Sequence, residues 1–74
     1  MTIKRTITVE VSVGVGGWTA SKTVELVSAP HVGDQIMVGD VVVTCETVTI
    51  DRDRVYVRER VNFKTEADAA EYFQ

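Results

Sequence analysis

The chain has 74 residues, with 11 Asp+Glu, 8 Lys+Arg, and one each of His, Cys, Pro and Trp, which allows one domain and no more. A domain of this size buries only roughly 60% of its unfolded surface, which excludes a deep internal active-site cavity. The single Cys45 excludes an intramolecular disulfide framework and favours a reducing compartment. With only one His and one Cys, the usual zinc-ligand sets are missing, and no cofactor or metal is expected.

Val occurs 15 times, Thr 9 and Ile 4, against one Leu. β-branched side chains lose χ1 freedom in helices and pack well on a pleated surface, so the class is mainly β. The formal charge of −3 is uneven: residues 1–64 carry eight bases and eight acids, and Glu66, Asp68 and Glu71 supply the whole excess. No apolar run approaches the length that spans a bilayer, and the opening residues alternate without an apolar block of signal-peptide type. A cytoplasmic location and no membrane contact are expected.

Residues 3–13 alternate, with Ile3, Ile7, Val9, Val11 and Val13 on one face and Arg5 as the exception. That is a half-buried strand. Gly14-Val15-Gly16-Gly17 then supplies a hairpin turn. Its glycines do not form a phosphate loop, because a strand and not a helix follows. Residues 18–27 form the second strand, with Trp18, Ala20, Val24 and Leu26 inward, and Val13 is expected opposite Trp18. Pro30 and Gly33-Asp34 break the pattern. A short strand at 35–38 and a turn at Gly39-Asp40 lead to a strand at 41–50. There the parity slips between Cys45 and Val48, as at a β-bulge near Glu46-Thr47 or in a strand buried on both faces.

After the turn at Asp51-Arg52-Asp53-Arg54, residues 55–64 make the last strand. Thr65 is placed to cap a helix over about 66–73, with Glu66 and Asp68 in its first turn. The expected architecture is a five-stranded, strongly bent antiparallel sheet or a small barrel, with this short C-terminal helix.

Leu26, Pro30, Val32, Gly33, Asp34 and Ile36, then Gly39, Val43, Cys45 and Val48, resemble the strands and Gly-Asp turns of small SH3-like β-barrels. The Pro-x-x-Gly-Asp-x-Ile stretch is similar to one in small β proteins of bacteria and their phages. The resemblance implies a barrel and a phage or prophage accessory protein acting by contact with another protein. No aromatic ligand groove of the peptide-binding barrels accompanies it, so no peptide specificity carries over.

The most informative pattern is the even-numbered set Arg52, Arg54, Tyr56, Arg58, Arg60, Asn62 and Lys64. Side chains two apart on a strand share a face about 6.6–6.8 Å apart. Five bases in this set, counted with Lys64, can track phosphates while Tyr56 stacks on a base, as in single-stranded nucleic-acid binding. The structural alternative is an edge strand charged against unwanted pairing, or one whose arginines pair with Glu10, Glu25 or Glu46 on neighbouring strands. The acidic C-terminal segment folding over this stripe is a further expectation.

Glu59 falls on the apolar parity, where either a bulge turns it outward or Lys22 or Arg5 pairs with it. His31 is expected in a plain loop, and Cys45 as a small buried hydrophobe. Trp18 either caps the core or, with Tyr72 and Phe73 of the helix, anchors a partner. No nucleophile–base set can be assembled, so a non-enzymatic module is expected. Its leading role is binding another protein or itself, and its alternative is nucleic acid.

Overall fold

The computed structural model describes residues 6–52 and 54–74. Ile3, Lys4, Arg5 and Asp53, which carry parts of the sequence expectations, lie outside the described residues. The chain is mainly β with one short C-terminal helix. Its elements are β1 (Ile7–Val15), β2 (Trp18–Leu26), β3 (Gln35–Val38), β4 (Val41–Thr44), β5 (Thr47–Asp51), β6 (Arg54–Glu59) and α1 (Glu66–Glu71). The strands β2, β3 and β4 begin where the alternation places them.

Six strands form where five are expected, and they build two sheets that do not close into a barrel among the described residues. The larger sheet has the order β2-β1-β6-β5 and the smaller is the β3-β4 hairpin. The larger sheet is mixed, not antiparallel throughout, because β1 and β6 run parallel with Thr8 beside Arg54 and Val13 beside Glu59. A parallel pair needs a long crossover between its strands. Here the crossover contains the β3-β4 hairpin, which packs on one face of the large sheet.

The β1-β2 hairpin loop is two residues shorter than expected. Val15 pairs with Trp18 across Gly16-Gly17, and Val13 pairs with Ala20, not Trp18. The register moves by an even step, so every side chain keeps its expected face.

The stretch 41–50 divides at Cys45-Glu46. The parity slip lies there because the chain leaves one sheet and enters the other. Cys45 still extends the small sheet, donating its N–H to the Asp34 carbonyl and accepting from Gly33, both at 2.8 Å. The Glu46 N–H already donates to the Arg58 carbonyl at 3.1 Å, next to the Thr47–Arg58 pair of the large sheet. The last strand is shorter than 55–64 and stops at Glu59.

The core lies between the large sheet and the layer formed by β3, β4 and α1. Val9, Val11 and Val13 of β1 meet Val55 and Val57 of β6, Ala20, Val38, Val43, Cys45, Phe63 and Ala69, all buried. Glu59 enters this layer at half burial, without the expected outward bulge and with no cationic partner among the described residues, Arg5 lying outside them. Its Oε2 accepts the Thr44 N–H at 2.9 Å and so fastens the end of β6 to β4. A carboxylate on an apolar parity is satisfied here by a backbone amide that the sheet change leaves unpaired.

Thr65 caps α1 as its sequence indicates, its Oγ1 accepting from the Asp68 N–H at 3.2 Å. The helix packs through Ala69 on the core side of β2. Among the described residues no helix is long and apolar enough to cross a membrane.

Candidate binding surface

Among the described residues only one side of the large sheet is covered. On the other side, alternation along each strand and register between strands line up the outward side chains in rows. The central row runs Thr23, Glu10, Tyr56, Thr49 from β2 to β5. On one side of it lies Ser21, Ser12, Arg58, Thr47, and on the other Glu25, Thr8, Arg54, Asp51. The result is a polar trough of about 760 Å³ floored by Ser, Thr and Tyr56, with Arg58 and Glu10 in its lining.

Of the residues expected to form a stripe over 52–64, three share one face and the others are dispersed. Arg54, Tyr56 and Arg58 stand together on the open face of β6. Arg52 sits in the β5-β6 turn with φ 51, and Arg60 and Lys64 follow the strand's end. The edge-strand explanation fails, since β6 is an interior strand between β1 and β5. Among the described residues ion pairing accounts for one arginine: Arg54 Nη1 lies 2.7 Å from Glu10 Oε1.

Glu46 uses its carboxylate on the Arg60 backbone N–H at 3.3 Å. Among the described residues Arg58 has no acidic partner within ion-pair distance. Among the described residues the face holds two bases, Arg54 and Arg58, against three acids, Glu10, Glu25 and Asp51. The acidic helix does not shield it, because α1 packs on the opposite side of the sheet.

The aromatic candidates separate. Tyr56 is 37% exposed at the centre of the open face, and Trp18 is 42% exposed at the hairpin tip beside Val15. Tyr72 and Phe73 are half-buried and serve the core. Phe63 meets Tyr72 edge-on at 5.1 Å, and Tyr72 meets Phe73 edge-on at 5.0 Å. Burial, then the Glu59 carboxylate, pushes the Tyr72 phenol up.

Cys45 is fully buried. Burial first, then the charges of Asp34 and Glu59, push its thiol up from the ordinary value. His31 is not isolated: Asp34 Oδ2 accepts its backbone N–H at 2.8 Å and lies 3.7 Å from its Nδ1, both side chains being exposed. Among the described residues no three His, Cys, Asp or Glu side chains gather as metal ligands would.

Sequence reasoning found Tyr56 and Arg58 but not the hydroxyls beside them. The outward Ser and Thr of β1, β2 and β5 were each legible by parity. Their assembly into one face depends on strand order, which no local pattern carries. Comparison with protein-family models, with curated proteins and with solved structures found no match to this chain.

Proposed function

We propose that this chain is a small non-enzymatic module that binds another protein on the open face of its large sheet. The observation that carries this reading is a four-stranded face with no covering element among the described residues, built of small hydroxyls around one exposed tyrosine and an arginine that has no acidic partner among those residues. Tyr and Arg are among the side chains most enriched at the energetic centres of protein interfaces, and the surrounding hydroxyls offer hydrogen bonds around them. A rigid sheet presents them without further ordering, which lowers the cost of association.

The test replaces Tyr56 with a photo-crosslinking residue and compares captured proteins with those from the same residue at exposed Val27. A partner captured at position 56, not at 27, and lost on Arg58→Glu is the expected result. Equal capture at both positions removes the reading.

Single-stranded nucleic acid is the second reading, favoured by the Arg54-Tyr56-Arg58 spacing on one face. The three acids on that face weigh against it, since such binding depends on phosphate neutralisation. Fluorescence anisotropy with a labelled oligodeoxythymidine at low salt separates the two. Affinity that falls steeply with salt and with Arg58→Ala supports nucleic acid, and no binding leaves the protein reading alone.

A further inference from the structure

The two edges of the large sheet are built differently. Strand β2 is guarded. Lys22 stands on its core-facing side, opposite buried Val11, and reaches toward the β3-β4 turn at Gly39, while α1 packs against the same strand. An inward-pointing charge and a covering helix are two of the devices that keep an edge from recruiting another strand. Among the described residues the other edge, β5, has neither. Its sequence Thr-Val-Thr-Ile-Asp is β-prone, carries no Lys or Pro, and among those residues pairs on its inner side alone. Ile50 faces the core side beside buried Val55, yet is 67% exposed because the sheet ends there.

We infer that two copies of this chain pair through the outer edge of β5, antiparallel about Thr49, into one continuous eight-stranded sheet. The strand is complementary to itself in that register. Thr49 meets its own copy, Val48 meets Ile50 of the second copy, and Thr47 meets Asp51 of the second copy. Each β-branched pair lies on the core side and covers the exposed Ile50.

The charges fit as well. Thr47 is flanked by Arg58 on the inner side, so Asp51 of the second copy stands two strands from Arg58, roughly 10 Å between backbones. An arginine and an aspartate bridge that distance over a short threonine. The row across the junction then alternates as Arg58, Thr47, Asp51, Arg54, the last two from the second copy. Arg58, which lacks an ion-pair partner among the described residues, gains one twice about the two-fold axis.

The inference rests on the β5 edge and shares Arg58 with the open-face reading; Ile50→Lys, on the opposite side of the sheet from Tyr56 and leaving Arg58 untouched, separates the two. The test is sedimentation equilibrium with far-UV circular dichroism as the control for folding. The wild-type chain is expected at twice its 8.2 kDa mass, and Ile50→Lys, which copies the Lys22 device, at the monomer mass with an unchanged spectrum.

Asp51→Arg and Arg58→Asp are each expected to shift the mass toward monomer, and the double variant to restore the dimer. This pair decides the question if Ile50→Lys does not fold. Thr49→Cys is expected to cross-link to its copy on oxidation, since opposed residues at the axis lie within disulfide range, whereas Thr47→Cys is not.

A wild-type monomer at the highest concentration reached overturns the inference. So does a dimer that survives Ile50→Lys, failure of the charge exchange to rescue, or cross-linking at 47 in preference to 49. A monomer whose β5 amides gain protection only on adding a different protein assigns the edge to that protein instead. A dimer lost in Ile50→Lys with crosslinking at Tyr56 retained leaves the open-face reading intact.

Discussion

Gly14 lies inside β1 at φ 140, and a Cβ there would meet the Trp18 carbonyl oxygen at 2.5 Å and the Thr19 Cα at 2.9 Å. Both obstacles are backbone of the partner strand, so neither can rotate away. Gly14→Ala is expected to cost roughly 2–3 kcal/mol, lowering the thermal midpoint by on the order of 10 °C or more. Gly16 provides the comparison: at φ 79 it needs its freedom, but nothing lies near its missing Cβ, and Gly16→Ala is expected to cost about 1 kcal/mol. Thermal unfolding of both variants separates steric exclusion from conformational preference, and equal losses would contradict the assignment.

Cys45 gives the pH dependence. Its thiol titrates higher in the folded chain than in the unfolded one, because burial and then Asp34 and Glu59 disfavour the thiolate. The folded state therefore holds this proton more tightly. The associated stability is complete below the ordinary thiol value of 9.0 and is lost as pH rises from there through the raised folded value. The denaturant midpoint is expected to stay level to about that pH and then fall, with Cys45→Ala flattening part of the decline. The remainder belongs to Tyr72, whose phenol is shifted in the same direction. Alkylation of Cys45 before any unfolding would contradict its placement.

At the scale of elements, α1 is six residues long and too short to persist alone. It is held by Ala69 against β2 and by the edge-on contact of Phe63 with Tyr72. Phe63→Ala is expected to cost about 3 kcal/mol and to release the helix, so that amide exchange in residues 66–72 approaches that of open chain. Retained protection there would show that Ala69 alone holds it.

The helix and its Thr65 cap were legible because capping is a local signal. So were the inward and outward faces of the strands, since a period of two assigns them before any pairing is known. The place of β6 at the centre of the sheet was not legible, because it depends on pairing with β1 across most of the chain. Charges at even positions of 54–58 read equally well as an edge or as an interior strand with one wet face. The parity slip at Cys45-Glu46 marked the right position. It did not reveal that the chain changes sheets there, which depends on the Asp34 and Arg58 carbonyls that receive the two amides. For the candidate site, Tyr56 and Arg58 were visible, while the hydroxyl rows and the bare edge of β5 came only with strand order.

At the scale of the whole molecule, the core is one-sided: a layer of valines lies beneath a hairpin and a helix, with a polar face opposite. The acidic excess of the chain sits on the covered side, in α1, and the open face mixes both signs. Net charge therefore says little about what that face receives. Pairing at β5 would place two open faces side by side, and a bivalent partner would then be held through an effective concentration set by the dimer's own geometry.

The parallel pairing of β1 with β6 also imposes an order of events on the newborn chain. The β1-β2 hairpin is local and can close early, but the inner edge of β1 has no partner until Arg54 to Glu59 have been made. During that interval Val9, Val11 and Val13 have half a sheet and no roof. Contacts this distant in sequence make closure slow compared with helix formation. Most of the chain must therefore be synthesised before its central valines are sheltered, and the last strand acts as a keystone.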